Sequence, residues 1–216
     1  MQGFSKKEQA VFRKLNTPTK VQDYLNKFPF NFEENGVDTI KSPLSSVRTG
    51  SIHCFEGALL GAYILSLHGY TPTIMHLKAT KNDFDHTLAV FKTEGHYGAI
   101  SKTNHYCLRF RDPIYKTVRE LAMSYFHEYF LNKNGQKTMR SYSGLLNLNR
   151  LKTDWVHSKE DLWIIDEALD KTKHYNILNK KQIKKLRPTD VIERRAGGFV
   201  DFKPKSKSFK DPNLSQ

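Results

Sequence analysis

The stretch Gly50-Ser51-Ile52-His53-Cys54-Phe55-Glu56-Gly57-Ala58-Leu59-Leu60-Gly61-Ala62-Tyr63-Ile64-Leu65-Ser66-Leu67-His68-Gly69 reads as a buried helix with a cysteine in its first turn. After Cys54 nearly every position is apolar or small, so no face is left for water, as suits a helix enclosed by protein. Gly57 and Gly61 stand four apart beside Ala58 and Ala62 and leave one side almost bare. Each glycine costs about 1 kcal/mol of helix propensity, a loss that close packing on a sheet offsets. Gly69 is the expected C-terminal cap. A thiol at a helix N-terminus feels the positive end of the helix dipole, which favours the nucleophilic thiolate.

Around this helix, 216 residues with 38% hydrophobic content suffice for one domain with a real core. The expected division is a single domain over residues 1–196, with its core at about 45–131, followed by a basic, flexible tail over 197–216. The sequence has no N-terminal apolar segment of signal-peptide type and no run long enough to span a bilayer, so the expectation is a soluble, cytoplasmic protein without a membrane partner. Cys54 and Cys107 are too few for a disulfide framework, which agrees with a reducing compartment. The net charge is +13, and residues 171–216 alone hold 13 Lys or Arg against 4 Asp or Glu. Such a segment can bind nucleic acid or another anionic partner, or simply keep the chain solvated. The solvated reading is preferred because no recognisable nucleic-acid module or interleaved aromatic pattern accompanies the charge.

Periodicity and turn residues place the other elements. Helices are expected over 5–15 and 18–27, the second with Pro18 in its first turn, and an irregular stretch over 28–47 leads to the central helix. Residues 73–78 read as a strand. Residues 87–92 and 97–101 read as an antiparallel hairpin about Thr93-Glu94-Gly95-His96. A helix over 117–131 carries an aromatic stripe of Tyr125, Phe126, Tyr129 and Phe130, read as core. Residues 141–148 are a loop or short strand. Ser158-Lys159-Glu160-Asp161 resembles a capping box, ahead of a helix with Leu162, Ile165 and Leu169 inward and Trp155 and Trp163 closing it onto the body. A short basic helix is expected over 179–186.

The hairpin brings His86, at the start of its first strand, near Ser101, at the end of its second. A thiol nucleophile needs a base within hydrogen-bond reach, and that base needs a third group to hold its tautomer. Cys54, His86 and a polar residue after the hairpin meet this requirement in order and spacing. Here the chain resembles the transglutaminase-like superfamily, which shares the papain-like cysteine protease fold. Gly50 to Gly69 carries that resemblance, together with His86-Thr87-Leu88-Ala89-Val90-Phe91 and Tyr97-Gly98-Ala99-Ile100-Ser101, within residues 45–104. Arg111-Asp112-Pro113-Ile114-Tyr115 and the stretch from Arg119 to Phe126 resemble a bacterial group with this core.

The resemblance implies an α+β fold in which the Cys-bearing helix packs on an antiparallel β-sheet with helices around it. It implies a cysteine enzyme that cleaves or transfers an acyl group of a peptide or other amide substrate. Cys54 would be the nucleophile and His86 the base. The family pattern calls for aspartate where this chain has Ser101. Position favours Ser101 as the residue that orients His86, and chemistry favours Asn104, since asparagine serves this role in papain-like enzymes. Arg48, six residues before Cys54, is the candidate for oxyanion or substrate contact, or else a partner of Glu56. A catalytically inactive binding protein of the same fold is the alternative, motivated by the missing aspartate. No cofactor or metal is expected. His53, Cys54, His86, His105 and Cys107 follow no paired metal-ligand spacing, Asp83 and Asp85 are too few for a calcium loop, and there is no Gly-rich phosphate loop.

Overall fold

The computed structural model describes residues 1–33 and 36–203. Two short helices open the chain, α1 (Lys6–Lys14) and α2 (Pro18–Asn26), capped by the side chains of Ser5 and Thr17. Where an irregular stretch is expected, a helix follows, α3 (Pro43–Thr49), with Ser42 as N-cap and Pro43 in its first turn. The central helix α4 (Cys54–Ser66) comes next, then β1 (Thr73–Lys78), β2 (His86–Thr93), β3 (His96–Ile100) and β4 (Arg111–Tyr115). The remaining elements are α5 (Val118–Met123), β5 (Ser141–Ser143), β6 (Leu146–Asn147), α6 (Trp163–Lys171), β7 (His174–Asn176), α7 (Lys180–Lys184) and α8 (Val191–Gly197). Among the described residues no helix is long and apolar enough to cross a membrane.

The strands form one antiparallel sheet in the order β4-β3-β2-β1-β5-β7, with β6 also paired to β1. The β2–β3 hairpin turns on Glu94 and Gly95, both at positive φ (49° and 83°), the backbone that matches a two-residue loop to strand twist. Strand alternation then assigns the two faces. Ile74, Ala89, Phe91 and Ile100 pack with α1, α2, α4 and α6, whereas Met75, Leu77, Leu88, Val90 and Ala99 pack with α5 and the aromatic residues after it.

All of residues 55–65 in α4 are buried, as an all-round apolar helix requires. A Cβ on Gly57 would meet the Lys102 Cβ at 2.5 Å, and one on Gly61 would meet Ile100 Cγ2 at 3.2 Å. The bare side of the helix therefore seats it on the end of β3. Gly57→Ala should destabilise the protein by about 1–3 kcal/mol in urea unfolding, because the obstacle lies next to backbone and cannot swing away. Gly61→Ala, whose neighbour need give only slightly, should cost less. Past the helix, Gly69 lies at φ 88° and Tyr70 N–H reaches back to the Leu65 carbonyl at 3.3 Å, the expected glycine stop.

Three expectations are corrected. The long helix over 117–131 stops at Met123, followed by a single 3-10 turn. The aromatic residues are buried as expected, but Tyr125 and Tyr129 donate their hydroxyls to the carbonyls of Arg109 and Phe84, and the chain then doubles back so that Phe130 bridges Lys137. The capping box before α6 does not form. Ser158 Oγ turns to Glu160, Asp161 accepts from Ile40 N–H, and Leu162 stands at the N-cap. Trp155 is core, but Trp163 is 44% exposed. Finally, the tail expected from residue 197 is docked through residue 202. Phe199 C=O accepts from Tyr106 N–H, and Asp201 and Phe202 N–H bond to Asn104. The rest of that expected tail, residues 204–216, lies outside the described residues.

Candidate active site

Cys54 is the first residue of α4, and His53 before it is the N-cap. Glu56 reaches back to His53 N–H at 3.0 Å and holds the helix entry, and the His53 Nδ1 faces Phe55 N–H at 3.1 Å, a bond open only to the neutral ring. His53 Nε2 lies 2.8 Å from the Thr39 carbonyl, 3.4 Å from Glu33 and 3.6 Å from Glu56. Burial disfavours the charged ring, but the Cys54 sulfur and the two carboxylates outweigh it and hold His53 well above the ordinary histidine range. The imidazolium is then favoured at the expense of the Phe55 bond, which needs an unprotonated Nδ1.

His86 begins β2 and is 5% exposed. Continuing the register Ala89↔Ile100 sets Ser101 diagonally across from it on the same face. His86 Nε2 and Ser101 Oγ are 2.7 Å apart, and Ser101 Oγ donates its own proton to the Leu108 carbonyl. With that proton committed, Ser101 meets His86 as an acceptor. This sets the Nε2–H tautomer and leaves the Nδ1 lone pair free to serve the Cys54 thiol, whose ionisation the ring favours.

Burial opposes ionisation of Cys54, but hydrogen bonds and charge from His53 and His86 outweigh it and bring the thiol down to about 5. Cys107 responds oppositely: burial and the Glu128 carboxylate push it up to about 12. The two free cysteines are thus sorted by environment into a thiolate and an inert thiol.

Residues not singled out in the sequence hold this arrangement. Buried Gln22 on α2 clamps the Ser101 backbone, accepting from its N–H at 2.9 Å and donating to its carbonyl at 2.8 Å. Leu108, at φ 56°, has its N–H fixed by Glu128 at 2.7 Å, and Glu128 is itself paired with Arg111 at 2.6 Å. Two of the expected candidates fall elsewhere. Asn104 holds Phe202 through both ends of its amide and makes no bond to His86, because its side chain follows the docked C-terminal segment. Arg48 pairs with Glu8 and the Gly3 carbonyl on the outer side of α3, and it pairs with neither Cys54 nor Glu56. Buried Glu56 takes Lys41 instead.

Cys54, His53 and His86 open onto a cleft of about 440 Å³. Seven carboxylates line it against two lysines, among them Glu33, Asp38, Asp85, Asp166 and Asp170. Trp163, Asp166 and Asp170 form one stripe of α6 along its wall. The cleft is acidic although the chain as a whole is strongly basic. Lys102 is 1% exposed, and burial brings its ammonium down to about 8 while it donates to the Phe28 carbonyl at 2.6 Å.

No protein-family model and no curated protein matches the chain. Similarity appears among solved structures. The calcium-bound LapG of Legionella pneumophila aligns at TM-score 0.40 and 14% identity over 73% of this chain and 86% of LapG. The EGTA-treated form aligns at TM-score 0.39 and 14% identity over 74% of this chain and 82% of LapG. The α+β architecture, with a Cys-bearing helix on an antiparallel sheet, stands on the chain's own topology.

The hydrogen bonds around His86 separate the two candidate orienting residues by experiment. Ser101→Ala removes the acceptor for Nε2–H and should slow Cys54 alkylation severalfold near pH 5 while leaving it nearly unchanged at pH 7, because the loss of one hydrogen bond that orients the ring raises the inflection by about one to two units. Asn104→Ala should leave that rate within about twofold and instead expose residues 199–202 to protease, since its cost falls on docking of the segment.

Proposed function

We propose that the chain is a cysteine enzyme of the transglutaminase-like class, acting on an amide or related acyl bond of a peptide-like substrate. The observation that carries this reading is the run from the Leu108 carbonyl through Ser101 Oγ to His86 Nε2, which holds in place an imidazole that, with His53, depresses the pKa of the Cys54 thiol. Cys54 attacks the carbonyl, and His86 holds the thiol proton and returns it to the leaving amine. The Cys54 N–H at the first turn of α4 faces the developing oxyanion. Ser101 carries no charge, so it orients His86 without stabilising the imidazolium as a carboxylate would; His53, paired with Glu33 and Glu56, is a second imidazole that favours the thiolate. The acidic lining favours substrates whose flanking residues are cationic.

The test is incubation with a mixture of unstructured peptides, with and without a primary amine, read by mass spectrometry. Cleavage or amine incorporation that disappears in Cys54→Ala and is fastest next to Lys or Arg supports the proposal. Turnover that is the same in Cys54→Ala, or none with any peptide or amine, overturns it.

A further inference from the structure

Apart from the cysteine centre, the wall of the cleft holds a second cluster. His76 lies in β1, Asp170 in the last turn of α6, and His174 at the start of β7. Strand β5 lies between the two histidine strands, with Ser143 paired opposite His174 and its hydroxyl accepting from His76 N–H at 2.9 Å. This small residue lets the two rings approach over it, with centroids 6.1 Å apart. Residues almost a hundred apart in sequence thus converge, with one ligand-type atom from each within 4.8 Å of the others.

A hydrogen bond on one ring and a carboxylate facing the other direct their lone pairs into this cluster. His174 Nδ1 is 2.7 Å from the Thr172 carbonyl, so it carries the proton, and Nε2 is left with a lone pair. His76 is 5% exposed, and its Nε2 faces Asp85 at 3.5 Å, which leaves the lone pair on Nδ1. Both His76 Nδ1 and His174 Nε2 are buried and have no hydrogen-bond partner. A buried imidazole nitrogen without a partner is costly, and two of them beside one carboxylate are hard to explain by packing. A histidine whose far nitrogen donates to a backbone carbonyl, as His174 does to Thr172, is the usual outer arrangement of a metal ligand. His76 Nδ1 and Asp170 Oδ1 are 3.7 Å apart. In a tetrahedral shell with bonds of about 2.1 Å, neighbouring ligand atoms stand about 3.4 Å apart, so modest side-chain rotation closes the set.

We propose that His76, Asp170 and His174 bind a first-row divalent transition metal ion of the zinc class on the wall of the cleft, leaving one position of the shell to water. Two imidazoles and a carboxylate suit that class and not calcium or magnesium, which take oxygen-rich shells. The Lys78 ammonium now rests on Asp170 Oδ1 at 2.7 Å and Asp85 Oδ2 at 3.0 Å. It competes for Asp170 and withdraws to Asp85 when the ion enters. This inference is independent of the cysteine chemistry.

The experiment uses full-length protein with Cys54→Ala, so that no reactive thiol competes, and titrates zinc by calorimetry and cobalt(II) by absorption. Expected are one zinc per chain, a raised melting temperature, and a cobalt spectrum of low-coordinate type without a thiolate charge-transfer band. His174→Ala, at a partly exposed position, should weaken binding about a hundredfold or more, and His76→Ala likewise if it folds. Lys78→Met should tighten binding about tenfold by removing the competing charge. His96→Ala, at the start of β3, should change nothing. No stoichiometric zinc, affinity unchanged by His174→Ala, weaker binding in Lys78→Met, or a thiolate band would each overturn the proposal.

Discussion

At neutral pH iodoacetamide should alkylate Cys54 about a hundredfold faster than Cys107. With pKa values of about 5 and about 12, Cys54 is almost wholly thiolate, whereas only about one Cys107 in 10⁵ is ionised. Intrinsic nucleophilicity runs the other way. A Brønsted slope of about 0.4–0.5 gives the more basic thiolate roughly a thousandfold advantage per ionised molecule, and the net ratio is about a hundred. The pH profile carries the sign. The depressed pKa keeps Cys54 reactive down to about 5, below which its rate falls tenfold per unit, whereas an ordinary thiol begins to lose its rate near its usual value of about 8.5. In His86→Ala one of the two imidazole partners is gone and the inflection moves to higher pH. Time-resolved peptide mass spectrometry across this range measures all of it. Equal, slow labelling of both cysteines, or a Cys54 inflection near that of a free thiol, would contradict the arrangement described.

The second large effect is on stability. Glu56→Ala should cost about 3–5 kcal/mol, seen as a lower midpoint in urea with an unchanged slope. Glu56 is fully buried in α4 and accepts from Asn31, from the Thr39 hydroxyl at 2.9 Å and from the backbone N–H groups of Lys41 and His53. The Lys41 ammonium is 3.5 Å away. Deleting the carboxylate strands donors from the loop over 31–41 and removes half of the capping box at His53, so the first turn of α4 loosens with the loop. Glu56→Gln, which keeps an acceptor oxygen, should cost less than Glu56→Ala. A loss under about 1 kcal/mol for the alanine variant would mean that water satisfies these donors as well as Glu56 does.

What was legible in the sequence followed from local pattern. The glycine and alanine spacing of α4 demanded a close neighbour, and Gly57 on Lys102 supplies it. Hairpin geometry placed His86 near Ser101 without any knowledge of the rest of the chain. The aromatic spacing after Val118 reads as helix because a run of buried aromatics at intervals of three or four fits a helix and a chain doubling back equally well. Hydroxyl bonds to Arg109 and Phe84, distant in sequence, decided between them. Asn104 had suitable chemistry, but its amide is saturated by Phe202, a pairing set by where the C-terminal segment docks. The Gln22 clamp on Ser101 and the convergence of His76, Asp170 and His174 likewise arise only when distant elements meet, and no spacing rule encodes them.

The central claim is that Cys54 is an acylating nucleophile served by His86. Its most direct test is the intact mass of the protein during reaction with a p-nitrophenyl ester, followed by mapping of the adduct. The arrangement predicts a single acyl group on Cys54, formed in a burst, absent in Cys54→Ala and strongly slowed in His86→Ala. An acyl group on another residue, none at all, or formation at Cys54 at the same rate in His86→Ala would contradict it.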